Sequence, residues 1–250
     1  MSGLLRAEDS SLPNTVASGA NTPSATTASS SGVADVAATG HDLDRHNDYV
    51  KRAQNGKLNI VFLGDSGIVS WPITGRDIWD KNIAPLDAAA FGIGGNTSPQ
   101  LLWRLRNGEL DGYQAKVVLL NIGGNDLKHG TGADTIVPAI TACVAEVRKR
   151  QPQAQILLML PPNVYVPMLV PQSYVEHVTA TDLALTKLDD GKWIHVLDIS
   201  DGLNQHKMEI IGQIAMTGDA HKSHLWFEIW WNVIKAPLTK ILIPSTTPAR

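Results

Sequence analysis

The sequence predicts an α/β fold, a flavodoxin-like three-layer sandwich in which a five-stranded parallel sheet carries helices on both faces. Three observations predict it. Short apolar runs recur along the chain at Leu58 to Leu63, Asp87 to Phe91, Lys116 to Ile122, Gln155 to Leu160 and Trp193 to Asp198. Segments with helical spacing separate them, and alternation of this kind builds a parallel sheet covered on both sides. Polar, glycine-rich stretches directly follow three apolar runs: Gly64-Asp65-Ser66 after Leu58 to Leu63, Gly94-Gly95-Asn96 after the weaker run Ala88 to Ile93, and Gly123-Gly124-Asn125-Asp126 after Val117 to Ile122. In open α/β sheets ligands bind where strands end along one edge.

Asp44 to Gln54 reads as a short helix stopped by Asn55-Gly56. The first strand follows. Trp71 to Ile83 is a loop with a short helix, anchored by Trp71 and Trp79. After the second strand, Ser98 to Arg106 is helical, with Ser98 as cap and Leu101, Leu102 and Leu105 facing inward. Val137, Ile140, Val144 and Val147 recur at helical spacing after the third strand, and that helix stops near Gln151-Pro152. Val175 to Leu188 is helical between the fourth and fifth strands. The last helix runs from about His224 to Leu238, with Leu225, Ile229, Val233 and Ile234 as its apolar stripe.

Residues 1–40 read as a disordered Ser/Thr/Ala-rich tail, because Ser10 to Gly40 has almost no large apolar residue to bury. Residues 41–243 form one domain and 244–250 a C-terminal tail. Met1 to Ala7 lacks the apolar core of a secretory signal. A Ser/Thr-rich leader also suits the stalk of an exported protein, so a cytoplasmic protein and one exported after processing both fit. The formal net charge is −3 and no Lys/Arg cluster forms a stripe, so nucleic acid is not an expected partner. No apolar run is long enough to span a membrane, and the chain reads as soluble. Cys143 is the single cysteine and reads as a small buried hydrophobe.

The chemistry lies in four motifs. Ser66, just past a buried strand, is either a nucleophile awaiting a base or a helix cap. Gly94 and Gly95 offer backbone N–H groups to an oxyanion, or make a plain turn; Gly92-Ile93-Gly94 also begins a dinucleotide loop whose third glycine is replaced by Thr97. Asn125 offers a side-chain amide, or completes a post-strand turn. His221 can take and return a proton, with Asp219 as the acid that would orient it and His224 as a rival base. His41, Asp42, Asp44 and His46 carry ligand atoms, but no spacing matches a zinc template, and no metal is expected. Trp71 is a candidate wall of an acyl or sugar pocket, whereas Trp226, Trp230 and Trp231 read mainly as core.

With these segments the chain resembles the SGNH/GDSL hydrolases, and among them the platelet-activating-factor acetylhydrolase-like esterases. The resemblance spans roughly His41 to Ile243. Its carriers are Ile60-Val61-Phe62-Leu63-Gly64-Asp65-Ser66, Phe91-Gly92-Ile93-Gly94-Gly95-Asn96-Thr97 and Leu102-Trp103-Arg104-Leu105-Arg106-Asn107-Gly108-Glu109-Leu110. It implies that Ser66 is the nucleophile, that His221 is the base, and that Gly95, Asn125 and the Ser66 amide form the oxyanion hole. The implied activity is cofactor-free hydrolysis of short acyl esters, acetyl above all, on a small molecule or a carbohydrate.

The chain also departs from the family. The usual Asp-x-x-His acid position is Gly218, and the acid is Asp219, two residues before His221. Either Asp219 completes a triad or a backbone carbonyl orients the ring of a dyad. Gly67 stands where an aliphatic residue normally follows the serine, and Trp226 where glycine is common. The alternative expectation is therefore a catalytically impaired binding protein on the same fold, and a second enzymatic one is a carbohydrate acetylesterase.

Overall fold

The computed structural model describes residues 32–164, 170–217 and 220–243. Five parallel strands, β1 (Ile60–Gly64), β2 (Ala88–Gly92), β3 (Val117–Asn121), β4 (Gln155–Met159) and β5 (Ile194–Leu197), form one sheet in the order β2-β1-β3-β4-β5. This is the flavodoxin-like order, with its switch point between β1 and β3. Every residue of β1 is buried, as expected of a central strand covered on both faces.

The period-2 alternation of β1 and β3 sorts their side chains into two cores. Val61, Leu63, Val118 and Leu120 belong to one, and Ile60, Phe62, Val117 and Leu119 to the other. The first core is closed by helices α4 (Ser98–Arg104), α6 (Ala133–Arg150) and α7 (Gln172–Leu185), through residues such as Leu101, Ile140 and Val178. Between β3 and α6 lies the short helix α5 (Gly124–Lys128). The second core is closed by α2 (Ser66–Ser70), α3 (Arg76–Ile78) and three later helices, α8 (Ser200–Gln205), α9 (Lys207–Thr217) and α10 (His224–Leu242). Cys143 is fully buried in the first core.

Four details differ from the sequence expectation. The cap of α4 is Thr97, whose N–H donates to Gln100 Oε1 at 2.8 Å, and Ser98, expected as the cap, is the first helical residue. Packed chain starts before His41: Asp35 is buried and paired with Arg106, and Val36 N donates to Pro99 O, so helix α1 (Gly40–Gln54) is preceded by a docked segment. The segment after β5 holds α8 and α9, which the sequence pattern did not announce. The buried stripe of α10 is Phe227, Ile229, Trp230, Ile234 and Leu238, with Leu225 and Val233 only partly buried. Residues 1–31 and 244–250, assigned to tails, lie outside the described residues. Among the described residues no helix is long and apolar enough to cross a membrane.

Candidate active site

Ser66 is the first residue of α2, directly after β1 and Asp65. The Asp65 carboxylate accepts the Gly67 N–H at 2.9 Å and caps the helix. The cap is thus the neighbouring acid, and the serine hydroxyl is left for other partners. Ser66 Oγ lies 3.0 Å from His221 Nε2. His221 stands on a single 3₁₀ turn (Ala220–Lys222) just before α10. The hydroxyl and the imidazole are 155 residues apart in sequence, and the parallel sheet with its last helix brings them together.

His224 takes another direction. Its Nε2 is 2.7 Å from Asp77 Oδ1, and its Nδ1 lies 3.5 Å from Glu228. The hydrogen bond to His224 holds the exposed Asp77 carboxyl below its usual range. Asp219 and Gly218 lie outside the described residues, so the acid side of the expected triad has no geometry here.

Asn125, on α5, points its amide inward. Its Nδ2 donates to Asn96 O at 2.9 Å and, over a longer 3.3 Å, to Asp65 Oδ2. Asn121 Nδ2 adds a 3.4 Å contact to Asp65 Oδ1. Gly95 is exposed, with φ of +78°, a conformation that suits glycine. Its neighbour Gly94 approaches Ser66: a Cβ there would lie 3.9 Å from Ser66 Cβ. The glycine turn is closed by Asn96 N donating to Ile93 O. Gly95 is not among the residues lining the cleft, whereas Ser66, Asn125 and His221 are.

That cleft has a volume of about 200 Å³. One wall is aromatic, from Trp226, Phe227 and Trp230; Val164, Val170, Tyr174 and Lys128 line the cleft as well. Trp71, a candidate pocket residue from its position, is instead core. It is fully buried, stacked on Trp230 with ring centroids 5.5 Å apart and edge-on to Phe227 at 5.2 Å. Trp226 is the indole that stays half-buried on the cleft.

Burial raises the Asp65 carboxyl above its usual range, against the Gly67 N–H bond and the attraction of His221. Burial likewise raises Asp126, whose carboxylate accepts Ser98 N at 2.9 Å and Ser98 Oγ at 3.2 Å. The His41 to His46 group has other uses. His46 Nδ1 bonds Glu109 Oε1 at 2.9 Å, and Asp42 accepts Asn96 Nδ2 at 3.0 Å. Sequence reading missed Arg104 and Glu109 as site supports, although one signal was present. Arg104 is a charged residue inside the apolar stripe of Leu101, Leu102 and Leu105, and a charge on such a face must find a buried partner.

A hydroxyl in hydrogen-bond reach of an imidazole, at the start of a helix and beside an inward amide, can carry out acyl transfer. The family model for the GDSL-like lipase/acylhydrolase family matches residues 62–221. The chain belongs to this family. Family members hydrolyse esters, and the chain is a hydrolase of that class. It is 32% identical to platelet-activating factor acetylhydrolase IB subunit alpha2 of Rattus norvegicus, over 64% of this chain and 67% of that protein. It is 35% identical to the alpha1 subunit of Bos taurus, over 51% of this chain and 53% of that protein. Among solved structures, a GDSL-like lipase from Bacteroides thetaiotaomicron superposes with a TM-score of 0.59 at 18% identity, covering 79% of this chain and 97% of the other. A member of the lipolytic G-D-S-L family from Veillonella parvula gives 0.56 at 15% identity, over 75% and 98%. At these identities the structural likenesses show the shared fold.

Proposed function

We propose that this GDSL-family chain hydrolyses short-chain acyl esters, acetyl-type first, with Ser66 as nucleophile and His221 as general base and acid. The observation that carries this reading is the 3.0 Å approach of Ser66 Oγ to His221 Nε2 within the cleft. His221 takes the hydroxyl proton as Oγ attacks the ester carbonyl. The tetrahedral oxyanion is held by the Ser66 and Gly95 N–H groups and by Asn125 Nδ2. The longer of the two Asn125 hydrogen bonds, to Asp65 at 3.3 Å, is the one that yields to the oxyanion. Collapse expels the alcohol, which takes the proton from His221. Water, deprotonated by the same imidazole, then releases the acid from Ser66. Asp219 is proposed to orient the ring; otherwise the site works as a dyad.

The small cleft volume of about 200 Å³, with aromatic side chains in its lining, supports a short acyl group. The half-buried Trp226 supports a second reading, a carbohydrate ester, because an indole face suits a sugar ring. Acetate release from acetylated xylan, compared with release from an acetylated phospholipid, separates the two. The first test is hydrolysis of p-nitrophenyl acetate. Activity that falls to background in Ser66→Ala supports the reading. Activity unchanged in that variant contradicts it, and a wild-type chain without activity favours the binding protein.

A further inference from the structure

Arg104 has no exposed surface, yet all five of its N–H donors are engaged. Nε and Nη2 donate to the two oxygens of Glu109 at 2.9 and 2.8 Å, and Nη2 also to Phe91 O at 2.6 Å. Nη1 donates to Gly64 O at 2.9 Å and to Asn96 Oδ1 at 3.2 Å. Glu109 is also fully buried, and His46 completes its shell. The pair therefore grips the ends of β1 and β2 and one loop side chain. A buried ion pair of this kind often stabilises no better than apolar packing of the same volume. Its distinctive output is orientation.

Asn96 receives that orientation and passes it on. Its side chain is fixed at both ends, Oδ1 by Arg104 and Nδ2 by Asp42. Its backbone N closes the turn that carries Gly94 and Gly95, and its backbone O holds the Asn125 amide at 2.9 Å. Both non-serine oxyanion donors thus hang on one residue, 2% exposed.

We propose that Arg104 and Glu109, acting through Asn96, are positioning residues that set the spacing between the Gly95 N–H and the Asn125 amide. This rests on the esterase reading above. Asn96→Ala removes the joint while leaving the Arg104–Glu109 pair intact, and Arg104→Lys keeps one charge without the fork. Misplacing a donor by about 1 Å costs about 10²-fold in rate.

The experiment is steady-state kinetics on p-nitrophenyl acetate for Asn96→Ala, Arg104→Lys, Asn125→Ala and the Asn96→Ala/Asn125→Ala double variant, with melting curves for each. Val147→Ala, in the core of α6, supplies a variant of lowered stability remote from the cleft. The expected result is that kcat falls about 10²-fold in Asn96→Ala and Arg104→Lys. KM should change little, and Val147→Ala should keep the wild-type kcat. The double variant should lose less than the product of the two single losses, because Asn125→Ala already removes one of the two donors that Asn96 places. Wild-type kcat in folded Asn96→Ala, or losses that multiply in the double variant, would overturn the positioning role. Wild-type activity that ignores Ser66→Ala would overturn the esterase mechanism instead, so the two failures are distinct.

Discussion

A Cβ built on Gly67 would come within 2.9 Å of Trp230 Cη2, so the residue after the candidate nucleophile and the indole on α10 share one space. The glycine departs from the aliphatic residue usual in the family, and the tryptophan fills the volume. Gly67→Leu should overpack this point, destabilising by about 1–3 kcal/mol and lowering esterase activity through displacement of the aromatic wall. Gly67→Leu/Trp230→Leu should recover much of the stability. Thermal denaturation of the three proteins checks it, and an unaffected single variant would show that the two side chains do not compete.

Asn125→Ala should lower kcat by about 10²–10³-fold, the usual cost of one oxyanion donor, with KM little changed. A variant that raises KM alone would mean that the amide binds substrate without following the charge.

The two late histidines should separate cleanly. His221→Ala should abolish ester hydrolysis. His224→Ala should leave it close to unchanged, since His224 is turned to Asp77 and Glu228. Equal losses in both variants would contradict the assignment of the base.

Asp182 on α7 is partly buried, its Oδ1 has no hydrogen-bond partner, and its carboxyl is pushed up to about 8 by burial and by the charge of Asp198. The unfolded chain releases that proton near the ordinary value of 3.8. Between these values the unfolded state binds fewer protons, so this group costs increasing stability as pH rises from about 4 to about 8. Asp182→Asn should therefore raise the melting temperature at pH 8, and the gain should shrink towards pH 4. A gain independent of pH would show that the carboxyl is not the cause.

The sheet was legible because strands buried on both faces read as apolar runs. Leu58 to Leu63 and Lys116 to Ile122 match the ends of the observed β1 and β3 to within two residues. Helices α8 and α9 were not, since Gly202 and Gly212 interrupt them and Met208 and Met216 are exposed, so no clean period marks the buried Leu203, Ile210 and Ile214. Motif order brought Ser66, Asn125 and His221 to notice, but not which way each turns. The choice between His221 and His224 depends on Asp77, a residue about 150 positions away. The burial of Trp71 agrees with its reading as an anchor, but the pocket role read for it failed for a similar reason. Its position next to α2 suggested the cleft, and the stacking that hides it comes from α10.

The most direct measurement is covalent labelling of the folded protein with a fluorophosphonate, with the adduct located by mass spectrometry. An activated serine beside its base predicts a single adduct on Ser66, formed quickly in the wild type and lost in His221→Ala. An adduct elsewhere, or Ser66 labelling that is indifferent to His221, would contradict the account.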